Sequence, residues 1–179
     1  MNYGIDALDE MDNLLKNANS LLKDWTYDEG KMKLNVKFVN KSKNPDPTYA
    51  KHGDSGFDLR ANLDKEMIIF PGERALVPTG LYFQIPLNFE LQVRPRSGLA
   101  IKNGITVLNS PGTVDSGYRG EVCVILYNTS NGNFTIKNND RIAQGVIAPV
   151  QTLDNTIFSK VNYLDDSERG TDGFGSTNV

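Results

Sequence analysis

Apolar positions along the chain follow two different rhythms. Between residues 5 and 25, Leu8, Met11, Leu15, Ala18, Leu22 and Trp25 succeed one another at alternating spacings of three and four, and Leu14 and Leu21 widen the stripe. This segment has neither Gly nor Pro after Gly4; Asp6, Asp9, Glu10 and Asp12 crowd its start and Lys23 lies near its end, as a helix dipole favours. The pattern predicts one amphipathic helix over 5–25, with Gly30 punctuating the chain after it. Its apolar stripe suits a cover for the domain or a neighbouring subunit; a self-associating coil or a docking surface for a protein partner uses the same stripe.

From Lys33 the period becomes two. Leu34, Val36 and Phe38 alternate with Lys33, Asn35 and Lys37, the pattern of a half-buried strand. Further strand-like runs fall around 66–70, 74–77, 80–85, 89–94, 105–108, 121–128, 134–136 and 141–148, separated by turn residues such as Pro71-Gly72 and Asn131-Gly132. Many short strands at fairly even spacing predict an all-β sandwich, jelly roll or barrel. A helical turn is expected after Ser97, before Gly104. Residues 165–179 hold acids, Gly, Ser, Thr and Asn, with only Phe174 and Val179 apolar. Such a tail cannot offset its own ordering entropy by burial, so it is a flexible arm that gains order on a ligand, or has none. The expected organisation is a helical extension over 1–30, a β-domain over 31–164 and an arm over 165–179.

Composition narrows the function classes. A chain of 179 residues suits one domain, and 39% hydrophobic with 23% charged residues is ordinary for a globular protein. The formal net charge of −3 gives no basic excess of the kind a nucleic-acid surface needs. No run approaches the ~20 apolar residues of a membrane helix, and the acidic start is unlike a signal peptide. These features predict a soluble, intracellular protein. Cys123, the only cysteine, sits in the apolar run 122–126 and reads as an inert buried thiol; His52, the only histidine, reads as a solvated loop residue. Without a His/Cys cluster, a Walker loop or a nucleophile–His pair, any chemistry must run on carboxylates, arginines, hydroxyls and a hard cation.

Five stretches carry such groups. Residues 169–177, Arg-Gly-Thr-Asp-Gly-Phe-Gly-Ser-Thr, combine free backbone N–H groups, hydroxyls and a guanidinium with Phe174, a flat face suited to a base; from composition alone a floppy Gly/Ser tail reads equally well. Residues 94–100, Arg-Pro-Arg-Ser-Gly-Leu-Ala, lead two arginines and a hydroxyl into a helical turn, an arrangement suited to an anion. Residues 109–120 are turn-rich between two apolar strands and predict a hairpin with an exposed tip, where Asp115 and Tyr118 could serve as base and stacking wall, or Asp115 could simply bond the local backbone. In residues 53–61, Asp58 sits between apolar neighbours and must pair with Arg60 or another cation, or serve a metal or its water shell. In residues 140–145, Gln144 can donate to phosphate.

In this order the five stretches resemble the motifs of the trimeric dUTPase family, and they span residues 49–177. The resemblance implies a jelly-roll-like β fold and a homotrimer whose sites are shared between subunits. It implies Mg²⁺-dependent hydrolysis of dUTP to dUMP and pyrophosphate, which limits uracil in DNA and supplies dUMP for dTTP synthesis. It further implies a role for each matching residue. Asp115 activates the water that attacks the α-phosphorus. Tyr118 packs on the deoxyribose and leaves no room for a 2′-hydroxyl. Asn109 and the backbone at Gly112 read the uracil edge. Arg96, Ser97, Gly98 and Gln144 contact phosphates. Arg169, Ser176 and Thr177 grip the γ-phosphate, with Phe174 over the base and Gly175 between them. Asp58 stands near the water shell of a Mg²⁺ held mainly by substrate phosphates. The chain departs from the family pattern in ending Ser176-Thr177-Asn178, where a glycine commonly follows the threonine, and in carrying the N-terminal helix.

Two other readings share the fold. A dCTP deaminase would need a carboxylate on the strand after the hairpin, where this chain has Ile125, and a tryptophan in place of Tyr118. A nucleotide-gated regulator would act through a protein partner, for which the N-terminal helix offers a surface. Localisation is expected to be cytoplasmic, or nuclear in a eukaryotic or viral setting.

Overall fold

The computed structural model describes residues 22–171. Residues 5–21 of the predicted helix lie outside the described residues, and its predicted end is corrected: Trp25 opens a strand. β1 (Trp25–Asp28) pairs antiparallel with β2 (Lys31–Leu34) through a two-residue turn. Glu29 and Gly30 have φ of 48° and 78°, the paired positive values that match the turn to the twist of the strands. The three-and-four spacing reaches Trp25 only by coincidence, because Trp, Thr and Tyr favour a strand and the turn fixes their register. The boundary expected between residues 30 and 31 falls inside this turn. Trp25 meets Phe89 edge-on, with ring centroids 6.3 Å apart.

The body is a jelly-roll-like sandwich. The first four-stranded sheet, in the order β3-β6-β10-β8, contains β3 (Lys37–Asn40), β6 (Arg74–Gln84), β8 (Ile105–Val107) and β10 (Glu121–Asn128). The second, in the order β4-β12-β7-β9, contains β4 (Phe57–Arg60), β7 (Phe89–Arg94), β9 (Gly112–Val114) and β12 (Arg141–Pro149). β5 (Met67–Ile69) and β11 (Phe134–Ile136) form a separate antiparallel pair. The single helix among the described elements that have both ends in view is α1 (Ser97–Asn103).

Burial follows the period-two pattern. In β10, Val122, Val124, Leu126 and Asn128 point inward and their neighbours outward. They pack with Val77, Leu81 and Phe83 of β6, and across the sandwich with Leu59, Leu91, Val93, Ile142 and Ala143, in one core cluster. Burying such side chains contributes about 1.5–3 kcal/mol each. Asn128 is the polar member of this inner row and is fully satisfied. Its Nδ2 donates to the carbonyls of Ile69 and Gly132 at 2.9 and 2.8 Å, and its Oδ1 accepts from the Ser130 amide and hydroxyl at 2.9 and 2.8 Å.

Two strand expectations and one about a side chain change. The run 33–38 is not one strand: β2 ends at Leu34, the Asn35 amide donates to the Asp24 carbonyl at 2.7 Å, and β3 then starts in another sheet. The runs 74–77 and 80–85 are one strand, because Pro78 and Gly80 sit in a bulge of β6, whose stretch from Pro78 to Tyr82 faces the shorter stretch from Cys123 to Glu121 of β10, and do not end it. Cys123 is half-buried and faces outward, away from the core, although burial and the nearby Glu121 push its thiol pKa up and keep it unreactive.

Beyond β12 the described chain has no strand or helix. It is anchored at Asn88, whose carbonyl accepts from the Val150 amide at 2.9 Å and whose side chain accepts from the Thr152 hydroxyl at 2.8 Å. Past that anchor Leu153, Ile157, Phe158, Val161, Tyr163 and Leu164 all face solvent, Phe158 with 97% of its surface exposed.

Candidate active site

The predicted hairpin over 109–120 exists, but its tip is not free. β8 and β10 pair antiparallel, Leu126 opposite Val107. The loop between them lends β9 to the other sheet, where Gly112, Thr113 and Val114 pair with Val93, Gln92 and Leu91 of β7. A strand ladder thus pins the middle of the loop. Gly112 is buried at this ladder, and a Cβ there would lie 3.1 Å from Asn109 Nδ2 and 3.3 Å from Val93 Cβ, so Asn109 packs directly on it.

Asp115 leaves the end of β9 in a turn closed by the Tyr118 amide donating to the Asp115 carbonyl at 3.0 Å. Asp115 and Tyr118 line one cavity of about 330 Å³, whose other walls include Thr113, Val114, Cys123 and Ile125. The Tyr118 ring is 47% exposed, and its hydroxyl donates to the Glu121 carbonyl at 3.0 Å. Glu121 also borders the cavity, and its Oε1 accepts from the Gly80 amide at 2.7 Å. Glu121 is not among the residues predicted from sequence; an acid directly after Tyr118-Arg119-Gly120, at the mouth of a strand, is the signal that could have found it. Arg119 folds back onto the loop, donating to the carbonyls of Ser116 and Tyr118 at 2.7 and 2.8 Å.

A second cluster lies where β4, β12 and the chain after β7 meet. Asp58 does not pair with Arg60, which donates to Asn139 instead. It lies between two other guanidiniums, with Oδ1 3.2 Å from Arg96 Nε and Oδ2 3.4 Å from Arg141 Nη1. Arg96 Nη1 donates to the Arg141 carbonyl at 3.0 Å, whereas its buried Nε has an ion-pair distance to Asp58 without hydrogen-bond direction. Gln144, exposed on β12, stands in register between Asp58 of β4 and Arg94 of β7. Ser97 and Gly98 are exposed in the first turn of α1, where amides have no intrahelical acceptor.

The two clusters stand toward opposite ends of β9. Asn109 and Gly112 stand at the end of β9 nearest Arg94 and Arg96, and Asp115 at the other end. Three residues of strand separate Gly112 from Asp115, about 10 Å at ~3.3 Å per residue. Arg169 adjoins a turn in which the Gly170 amide donates to the Ser167 carbonyl at 3.0 Å; Phe174, Gly175, Ser176 and Thr177 lie outside the described residues. Among the described residues no group of three or more His, Cys, Asp or Glu is placed to hold a metal ion, and His52 is exposed in a loop.

The chain resembles proteins whose activity is known. The family model described as dUTPase matches residues 42–178. A deoxyuridine 5'-triphosphate nucleotidohydrolase of Caulobacter vibrioides is 54% identical over 137 residues, covering 75% of this chain and 86% of that protein. One from Finegoldia magna is 47% identical over 144 residues, covering 80% and 99%. Among solved structures, the Staphylococcus bacteriophage 80alpha dUTPase with dUPNHPP superposes with a TM-score of 0.69 at 25% identity, over 80% of this chain and 98% of that one. A family match over most of the chain, relatives at 54% and 47% identity and a shared jelly-roll fold lead to one statement: the chain belongs to the dUTPase family.

Proposed function

We propose that this protein hydrolyses dUTP to dUMP and pyrophosphate. The observation that carries this is the cavity shared by Asp115 and Tyr118, which brings an exposed carboxylate and an exposed aromatic face to one wall-lined space beside a pinned loop. In the reaction a water oxygen bonds to the α-phosphorus as the bond from that phosphorus to the bridging oxygen breaks. The pyrophosphate leaves and Asp115 takes the proton of the attacking water. Tyr118 packs on the deoxyribose. The backbone at Gly112 and the Asn109 amide read the uracil edge, and a backbone fixed in a strand ladder excludes a thymine methyl better than yielding side chains would. Bulk exclusion in a pliable pocket gives only about 10–200-fold.

Arg96, Ser97, Gly98 and Gln144 hold the phosphates. Arg169, Ser176 and Thr177 close on the γ-phosphate, with Phe174 over the base and Gly175 allowing the approach. Because Asp115 and the Arg96 cluster stand apart in one chain, a complete site draws on more than one subunit. A homotrimer satisfies that need, and the apolar side chains from Leu153 to Leu164 supply surface for it. Mg²⁺ fits as an ion carried by the triphosphate: Asp58, already flanked by Arg96 and Arg141, suits a place beside its water shell and not a direct bond. Bound there, the ion offsets charge on the phosphates. The product dUMP feeds dTTP synthesis, and removing dUTP keeps uracil out of DNA. Among the described residues no helix is long and apolar enough to cross a membrane, and we place the activity in the cytoplasm.

The test is Asp115→Asn assayed for pyrophosphate release. Loss of a general base should lower kcat about 10²–10⁴-fold with little change in KM or folding. Near wild-type turnover would remove Asp115 from the mechanism. Deamination of dCTP has less support, since the strand position lining the cavity is Ile125 and the Glu121 carboxylate is engaged by Gly80. A regulatory partner is favoured by one observation only: the β1–β2 hairpin lies before the family match and exposes Tyr27 and Met32 on one face.

A further inference from the structure

We infer that Gly120 and Glu121 are positioning residues that seat the Tyr118 ring, and that this seat sets discrimination against ribonucleotides. The inference rests on the proposed placing of deoxyribose against Tyr118. A ring nearly half exposed is not fixed by burial, so something else must hold it. Two contacts do. The hydroxyl donates to the Glu121 carbonyl at 3.0 Å. The hydroxyl end of the ring also lies against Gly120: a Cβ added at Gly120 would stand 2.5 Å from Tyr118 Cζ and 3.0 Å from Cε2, and closer still to the hydroxyl oxygen. No real Cβ tolerates such distances, so any other residue at position 120 must displace the ring.

The acceptor of the Tyr118 hydroxyl is itself fixed. Glu121 faces the bulge of β6, and its Oε1 takes the Gly80 amide there at 2.7 Å. One residue on, the buried Thr79 hydroxyl donates to the Val122 carbonyl at 2.6 Å and accepts from the Leu81 amide at 3.2 Å. The ring therefore rests on a part of β10 tied to β6 by two side-chain hydrogen bonds. That rigidity has chemical meaning. Rejecting UTP requires a wall that does not yield to one extra hydroxyl, and an unfastened phenol ring would yield by rotating about its side-chain torsions.

Gly120 has a φ outside the left-handed region, so alanine strains no backbone there and its conflict is with Tyr118. The experiment measures kcat/KM for dUTP and for UTP in wild type, Gly120→Ala, Tyr118→Ala and the double variant. G120A should lower the dUTP:UTP ratio by about tenfold or more, a loss within the range that one group's fit confers. The double variant should match Y118A, because a seat has nothing to hold once the ring is gone. A purely structural role for Gly120 would lower both substrates equally and leave the ratio alone; that outcome, or a double variant worse than Y118A, overturns the inference. Tyr118→Phe keeps the ring but drops the bond to Glu121, and should lower the ratio about three- to tenfold. An unchanged Y118F ratio would overturn the carbonyl's part even if G120A failed to fold. If the wild type turned over dUTP and UTP alike, the placing of the sugar would fall first, and this inference with it.

Discussion

The loop over 108–120 and the segment over 150–171 both follow a strand, and both carry residues expected to touch nucleotide. Their constraints differ sharply. The loop is held by the β9 ladder, by the Asp115–Tyr118 turn, by the Tyr118 hydroxyl and by Arg119 folded onto Ser116 and Tyr118. The segment is anchored at Asn88 and then presents a row of large apolar side chains to solvent. Everything that shapes the loop is therefore found in a single chain. The segment shows fewer such constraints, and its exposed apolar row is the surface proposed above for contact with another copy.

That contrast can be broken from either side. The largest effect is expected in the segment: Phe158→Asp with Leu164→Asp should abolish subunit association, read by sedimentation, and with it turnover, while leaving the unfolding of the separated chain nearly unchanged. Replacing exposed side chains typically shifts stability by no more than about 0.5 kcal/mol. If the double variant stays assembled, the segment is not an interface. Next comes the support beneath the loop. Thr79→Val leaves the Val122 carbonyl and the Leu81 amide without their partner, which should cost about 1–3 kcal/mol in urea unfolding. The loss should appear in the stability of the whole body, because the bond lies in the central strands. The smallest effect belongs to the segment's anchor. Asn88 has a φ of 65°, so Asn88→Ala combines left-handed strain with the lost bond to Thr152, about 1–2 kcal/mol. Asn88→Gly should recover part of this, and equal losses in the two variants would show that strain plays no part.

Much of the architecture was legible because burial in a sandwich imposes a period of two. The inward row of β10 and the short strands β7, β8 and β11 can be read directly from alternation. What escaped reading was decided by partners distant in sequence. β9 reads Gly-Thr-Val, with a glycine at a buried position, so it shows no apolar alternation and is defined by its pairing with the edge of β7. Pro78 and Gly80 look like strand breakers until the bulge they stand in is known. Trp25 extended a helical spacing that a two-residue turn overrides. At the site, residue types and order identified Asp115 and Tyr118 as a pair, and the cavity unites them. The partners of Asp58 were less legible, since two nearby arginines compete and only the sheet register brings Arg96 and Arg141, not Arg60, to its carboxylate.

The stitch that β9 makes between the two sheets has a consequence for how the molecule can move. The loop leaves one layer with β8, adds a strand to the opposite layer and returns to the first with β10. Such a loop cannot melt on its own without unzipping from β7. Its backbone amides in β9 should thus exchange with solvent only in the larger openings that part the sandwich, not in the shallow fluctuations usual for catalytic loops. The base-reading edge proposed for this loop would be a gauge of fixed width, with adaptation to the substrate left to the parts of the chain that are not sewn down.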